Sequence, residues 1–195
     1  MREELKVLRK YGGKLNWLAM NTRPDLAINA LELAKKQKKA TLKDLRNVNR
    51  ILKKVSDKES RVVFRRIARR EDLCMIGITD ASYNQEGNSI AGEMILLGSK
   101  KTNVAAPIYW KSGMIRKICM SPKAAETRAM VKIVDDSVNM TKQVSILMNR
   151  KIPLKIFMDS RPLLESIGST SQIEEKALRQ LIASLKQSIE DGDVE

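Results

Sequence analysis

The chain has 195 residues, of which 43% are hydrophobic and 31% are charged, as in a folded protein with a sizeable core. The formal net charge of +14 predicts a polyanionic partner, because Lys and Arg side chains release condensed counterions from a phosphate backbone. The sequence contains neither a run of ~18 apolar residues nor a secretory signal. We therefore expect nucleic acid rather than a membrane as the partner, and an intracellular location in the cytoplasm, the nucleus or an organelle.

The chain contains no histidine and two cysteines, Cys74 and Cys119. This excludes the usual zinc sites and every catalytic triad that needs a histidine. Both cysteines lie in apolar stretches, which predicts buried and reduced side chains. Any chemistry must come from carboxylates, hydroxyls, amines or a bound metal.

The first part of the chain is predicted to be helical. Residues 5–18 follow an amphipathic pattern, which Gly12-Gly13 interrupts. A second helix is expected to begin with Asn21 or Thr22 as its N-cap and Pro24 in its first turn.

A third helix is expected to begin at Thr41 and to carry apolar residues at helical spacing as far as Leu52. Four lysines between positions 35 and 39 precede it, and a solvated helix end explains them as well as a phosphate contact does. Residues 1–57 therefore form a short helical module.

The pattern changes after Asp57, and short apolar or alternating runs predict strands at 61–64, 73–78, 89–97, 104–110 and 154–158. Helices are predicted from the Ser121-Pro122 cap to Met148, over 161–167 and over 172–189. The basic stretch 65–70 contacts nucleic acid or only solvates a hairpin, and the sequence does not choose between these. Three antiparallel strands followed by a parallel strand–helix unit predict an α/β fold with helices against a mixed sheet.

Three acidic residues stand out by their positions. Asp80 and Asp159 each follow an apolar run that is predicted to be a strand, and Glu126 lies in the first turns of the long helix. If the two strands are neighbours, their carboxyl ends lie side by side, and the helix can bring Glu126 over them.

Carboxylates that approach one another repel, and a divalent cation such as Mg²⁺ or Mn²⁺ resolves this conflict. Two such ions ~3.5–4 Å apart can activate a water molecule and stabilise the leaving oxygen of a phosphodiester. Each residue also has an ordinary structural explanation, since Asp is common in turns and at helix caps, and Glu is common near helix N-termini.

Several short strings match, in order, the reverse transcriptases of copia-type (pseudovirus) LTR retrotransposons, which the chain resembles over nearly its whole length. GKLNWLA at 13–19 and TRPDLA at 22–27 resemble the segment after the polymerase palm. TDASY at 79–83 resembles the first ribonuclease H motif of the family, AAETRA at 124–129 its helix-borne Glu motif, and MDS at 158–160 its third motif. PIYWKS at 107–112 is similar to its third strand, and LIASLK at 181–186 to the helix before its final strand.

The resemblance implies a connection segment over residues 1–57 and a ribonuclease H-like domain over residues 58–195. It further implies that the domain cleaves RNA in RNA–DNA hybrids and uses two magnesium ions for this reaction. Asp80, Glu126 and Asp159 would be the catalytic residues that bind these ions. Because hybrids are held mainly through phosphates and 2′-hydroxyls, basic residues near Glu126 are nucleic-acid-binding candidates. These candidates are Lys111, Arg116, Lys117, Lys123 and Arg128.

The family has a fourth catalytic Asp after a last strand, whereas this chain ends at Glu195 where that strand would begin. Asp191 and Asp193 precede the expected position, and the sequence leaves open whether either reaches the other carboxylates. The domain is thus expected to lack the final acidic motif, as a fragment or as a fold that a host genome has retained.

Three functions follow from these patterns. The first is a Mg²⁺- or Mn²⁺-dependent endonuclease that cleaves RNA in hybrids, with a polymerase domain as a partner. The second is a domesticated, catalytically inactive subunit that binds RNA or serves as a scaffold among the proteins of a ribonucleoprotein. The third is a DNA-strand-transfer enzyme, which the motif strings favour less.

Overall fold

The computed structural model describes residues 2–36, 41–58, 60, 62–64, 66–67, 69–85, 89–102, 104–169 and 175–194. The chain forms two compact units, Met1–Val63 and Phe64–Glu195. The boundary after Val63 lies slightly beyond Asp57, which is where the sequence pattern predicted it.

The first unit is helical. Its elements are α1 (Arg2–Asn21), a 3₁₀ turn (Pro24–Leu26), α2 (Ala27–Lys36) and α3 (Leu42–Asp57). Apolar residues spaced three or four positions apart on these helices meet in a common core. Leu8, Leu26 and Leu33 are almost fully buried in it.

Helix α1 runs without a break through Gly12 and Gly13, so the expected interruption is wrong. A glycine in a helix costs only about 1 kcal/mol relative to alanine, and the burial of Leu8 and Leu15 on either side outweighs this cost.

The predicted cap of the second helix is also wrong. Asn21 and Thr22 donate side-chain hydrogen bonds back to the carbonyls of Trp17 and Leu18 and thus close α1. Arg23 occupies the N-cap position of the following turn, and Pro24 lies in its first turn as predicted.

The predicted start of α3 at Thr41 is confirmed. Thr41 and Asp44 form a capping box, in which the Thr41 backbone N–H donates to Asp44 Oδ2 at 2.9 Å. The Thr41 hydroxyl donates to the same oxygen at 2.7 Å, and Lys36 Nζ lies 3.0 Å from the other oxygen.

The second unit follows the predicted order of a three-strand meander, a helix, a strand and helices. Its elements are β1 (Leu73–Ser82), β2 (Ile90–Ser99), β3 (Ala105–Met114), α4 (Pro122–Leu147), β4 (Leu154–Phe157), α5 (Arg161–Gly168) and α6 (Lys176–Glu190). The sheet has the order β3-β2-β1-β4, in which β1–β2 and β2–β3 are antiparallel and β1–β4 is parallel. The predicted α/β fold with a mixed sheet is confirmed.

Helix α4 packs against β1 at Gly77. A Cβ atom at this position would lie 2.5 Å from Ile156 Cδ1 and 2.8 Å from Ser137 Oγ, so a larger residue would have to displace these side chains. Ile133 of the same helix is fully buried in the core of the unit. Cys74 and Cys119 are buried without a disulfide bond, as expected.

The strand expected at 61–64 is wrong for residues 62–64, which have no regular structure. Val63 and Phe64 are 59% and 68% exposed, so this short apolar run has no buried face that would hold it to the sheet. None of the helices in the described part of the chain is both long and apolar enough to cross a membrane.

Candidate functional site

Two of the three predicted carboxylates lie at one edge of the sheet, on neighbouring strands. Ile78 of β1 and Phe157 of β4 are the last paired residues of the parallel register, and Asp80 and Asp159 each follow two residues later. Parallel strands lie about 5 Å apart, so the two backbone positions are close. Asp80 belongs to β1 itself, which continues to Ser82, whereas Asp159 follows the end of β4; both side chains are exposed.

The third carboxylate reaches this edge from helix α4. The helix begins at Pro122, and its N-cap Ser121 accepts a hydrogen bond from the Ala124 backbone N–H at 3.1 Å. Glu126, in the second turn, is half-buried and accepts a hydrogen bond from the hydroxyl of Ser160. Because Ser160 directly follows Asp159 and is itself buried, this bond ties α4 to the end of β4.

Glu126 is therefore joined to the end of β4 through Ser160, whereas Asp80 is placed near Asp159 by its position in the strand register. Within the described ranges, no three His, Cys, Asp or Glu side chains are positioned to hold one metal ion. Like charges disfavour a closer approach unless a cation lies between them. The donors are all carboxylate oxygens with a serine hydroxyl behind them, and this donor chemistry fits Mg²⁺ or Mn²⁺.

Neither of the two late acidic residues lies at this edge. Asp191 follows α6 and accepts a hydrogen bond from Gln187 Nε2 at 2.8 Å. Asp193 lines a cavity of about 310 Å³ with residues 152–154, at the start of β4. Asp159 lies beyond the other end of this strand, so Asp193, which the sequence left open as a further ligand, lies away from the predicted carboxylates.

Four of the five predicted nucleic-acid-binding residues line one groove of about 580 Å³ between α4 and strands β2 and β3. These are Lys111, Arg116, Lys117 and Arg128. Lys123, in the first turn of α4, is not part of its lining. Arg128 lies two residues after Glu126 on α4, so the two side chains leave the helix on different faces.

Sequence reasoning missed a fifth cation of this groove, Lys132. It lies one helical turn beyond Arg128, and this i, i+4 spacing on α4 was the signal that could have revealed it. Lys132 Nζ lies 2.5 Å from Asp136 Oδ2 and 3.8 Å from Glu93 Oε2. Burial alone would lower the pKa of Lys132, but the Asp136 and Glu93 carboxylates raise it, and the net shift is upward.

Sequence reasoning also missed the acidic residues that line the groove, which are Glu93, Asp135 and Asp136. Glu93 lies between Ala91 and Ile95 in the alternation of β2, a position that faces the core, and its side chain is only 5% exposed. Burial raises the pKa of Glu93; Lys132 opposes this shift and Asp136 adds to it. Burial likewise raises the pKa of Asp135, next to Asp136.

No protein-family model and no curated protein matches the chain. Among solved structures, the chain is similar to LC11-RNase H1, isolated from compost, with 16% identity and a TM-score of 0.45 over 62% of this chain and 80% of that one. It is also similar to an N-terminal RNase H domain from Mycobacterium tuberculosis, with 14% identity and a TM-score of 0.46 over 63% and 78% of the two chains.

A third similar structure is a foamy viral protease–reverse transcriptase in complex with double-stranded DNA. Its identity is 16% and its TM-score is 0.41, over 80% of this chain and 25% of the viral one. These similarities are to ribonuclease H domains and a reverse transcriptase, while the mixed α/β fold of this chain rests on its own strand order and register.

Proposed function

We propose that the unit Phe64–Glu195 is a ribonuclease H-like, nucleic-acid-binding domain that hydrolyses the RNA strand of RNA–DNA hybrids. The proposal is supported mainly by one observation, the hydrogen bond by which Ser160 joins Glu126 to the position next to Asp159. Asp80 and Asp159 each follow the last pair of the parallel register between β1 and β4 by two residues.

In this proposal Asp80, Glu126 and Asp159 hold divalent cations, Mg²⁺ or Mn²⁺. Such cations activate water and stabilise the leaving oxygen of a phosphodiester. Ser160 donates its hydroxyl proton to Glu126 and so fixes the orientation of this carboxylate. The exposed Asp80 and Asp159 side chains remain accessible to a nucleic-acid backbone.

The basic residues that line the groove support the nucleic-acid part of the proposal. Lys111, Arg116, Lys117 and Arg128 belong to this lining, and Lys123 adds a positive charge in the first turn of α4. Phosphate contacts of this kind position a duplex without reading its sequence. The hybrid would therefore be held by its backbone, with the RNA strand presented to the acidic edge.

The origin of the chain is part of the same proposal. The ordered motif strings support descent from a copia-type reverse transcriptase, with the helical unit Met1–Val63 as the former connection segment. A polymerase domain is then the natural protein partner.

A second candidate function is an RNA-binding or scaffold subunit of a ribonucleoprotein that has no catalytic activity. The net charge of +14 favours it, since this charge supports binding to RNA whether or not the phosphodiester is cleaved.

Incubation of the full chain with an RNA–DNA hybrid and Mg²⁺ distinguishes the two functions. We expect the RNA strand to be cleaved, and we expect Asp80→Asn to abolish cleavage while Asp191→Asn, at the end of α6, leaves it unchanged. An intact hybrid after incubation with excess Mg²⁺ or Mn²⁺ would remove catalysis from the proposal and leave RNA binding.

A further inference from the structure

The solvent face of α3, in the helical unit, carries a stripe of positive charge. Lys43, Arg46, Arg50 and Lys53 are all exposed, and they follow one another at intervals of three or four residues. Because successive residues of a helix are turned by about 100°, the four side chains leave α3 within an arc of about 80°. This cationic stripe is about 15 Å long, since a helix rises about 1.5 Å per residue.

The cationic stripe is not neutralised by acidic side chains. Within the described part of the chain, none of its four cations forms an ion pair with a carboxylate. Arg50 donates to Asn47 Oδ1 at 2.8 Å, which is a contact with an uncharged group. Asp44 is buried in the capping box at the start of α3, and Asp57 lies one turn beyond Lys53, at the end of the helix.

The stripe also places like charges side by side. Residues three or four positions apart are neighbours on a helix surface, so Arg46 lies next to Lys43 and Arg50, and Arg50 lies next to Lys53. Like charges at this spacing destabilise a helix. A bound polyanion would offset the repulsion, which no carboxylate in the described ranges does.

The other side chains of α3 favour a nucleic-acid duplex over a membrane or an unpaired strand. Apart from Leu42 at its start, every apolar side chain of α3 packs in the core of the helical unit, so the helix has no apolar face to insert into a membrane. The helix contains no aromatic residue on which unpaired bases could stack. Two of its four cations are arginines, which bind phosphate groups bidentately.

We propose that the cationic stripe of α3 binds the phosphate backbone of a nucleic-acid duplex. Contacts of this kind hold a duplex without reading its sequence. The stripe is a second binding surface, on the helical unit, in addition to the one proposed for the unit Phe64–Glu195. The inference rests on the proposed function only for the class of partner.

Fluorescence anisotropy of the full chain with a labelled RNA–DNA hybrid, in EDTA and at several salt concentrations, tests the inference. We expect Arg46→Gln combined with Arg50→Gln to make the slope of log K against log salt about two units less steep, because each phosphate contact contributes about 0.9 to this slope. At about 0.1 M salt, the affinity for the hybrid should fall about tenfold or more.

Two control variants separate the stripe from the general positive charge of the chain. Arg9→Gln combined with Lys10→Gln removes the same charge from exposed positions of α1 and should leave the slope unchanged. Arg46→Lys combined with Arg50→Lys keeps the charge of the stripe and should keep most of the slope. Circular dichroism verifies that all three variants are folded.

Equal effects of the two glutamine pairs, an unchanged slope in the α3 pair, or no binding of the hybrid by the folded wild-type chain would overturn the inference. So would an α3 pair that loses binding to phosphatidylserine vesicles but keeps its affinity for the hybrid. Cleavage of the hybrid in Mg²⁺ is measured separately and depends on Asp80, and the contact in the groove depends on Lys111. Failure of the stripe is therefore distinguishable from failure of the proposed function.

Discussion

At the scale of single residues, Ser160 is the contact on which the acidic edge depends most. Its hydroxyl donates to Glu126 from the position after Asp159, so one buried side chain joins α4 to the segment that carries Asp159. Residues that orient a metal ligand in this way typically contribute 10–100-fold to metal affinity or activity.

We therefore expect Ser160→Ala to weaken Mn²⁺ binding about tenfold without unfolding the chain, as measured by titration calorimetry. Ser166→Ala removes a comparable hydroxyl, which donates to the Pro162 carbonyl at 2.7 Å within α5, and should leave Mn²⁺ affinity unchanged. Equal effects of the two variants would show that Ser160 has no specific role at the edge.

Asp44 makes the stability of the helical unit depend on pH. Hydrogen bonds from the Thr41 hydroxyl and backbone N–H, and then from Lys36, lower the pKa of Asp44 from 3.8 to about 2. Because the folded pKa is lower than the unfolded one, the stabilisation is complete above about pH 4 and is lost as the pH falls towards 2.

We expect Asp44→Asn to lower the free energy of unfolding at pH 7 by about 1 kcal/mol and to remove this pH dependence. Urea denaturation of the first unit at pH 7 and at pH 3, followed by circular dichroism, measures both effects. A variant that loses stability between pH 4 and 3 as steeply as the wild type would contradict the assignment.

At the scale of elements, the sequence predicts best where one local signal dominates. The capping residue Thr41 and the Ser121-Pro122 pair mark the starts of α3 and α4, because each satisfies backbone N–H groups that the helix leaves open. The pair Gly12-Gly13 and the residues Asn21 and Thr22 misled the prediction, since the burial of leucines at distant positions decides the course of α1.

The contact between α4 and β1 requires a glycine. We expect Gly77→Ala to reduce the free energy of unfolding of the second unit by about 1–3 kcal/mol, because the added methyl group would overlap Ile156 and Ser137. Gly92→Ala, on the neighbouring strand, meets no atom within 4 Å and should be close to neutral in the same urea denaturation. If the two substitutions had the same effect, close packing at Gly77 would not be its cause.

At the scale of the whole molecule, the chain has a net charge of +14, and four of the predicted basic residues line one groove. Binding to RNA or to a hybrid should weaken steeply with salt, with a slope of log K against log salt of about −3 to −4 for four phosphate contacts. Lys111→Ala should make this slope about one unit less steep, while Lys142→Ala, an exposed change towards the other end of α4, should not alter it. A salt-independent affinity would contradict backbone binding through the groove.

The sequence singled out Asp80, Glu126 and Asp159 by their positions near the ends of apolar runs and the start of a helix, and their role as metal ligands stays a prediction. It did not predict Glu93, whose importance comes from Lys132 and Asp136 on a distant helix. It also left open Asp191 and Asp193, which only the course of α6 and β4 places away from the acidic edge. Contacts between elements that are far apart in the chain were therefore the part that the sequence could not supply.

The central claim is that Asp80, Glu126 and Asp159 share a divalent cation. Anomalous scattering from a crystal soaked in Mn²⁺ tests it most directly. The account predicts manganese peaks coordinated by all three carboxylates at the ends of β1 and β4, and loss of these peaks in Asp80→Asn. A soaked crystal without manganese at this edge, or with manganese bound only at other positions, would contradict the account.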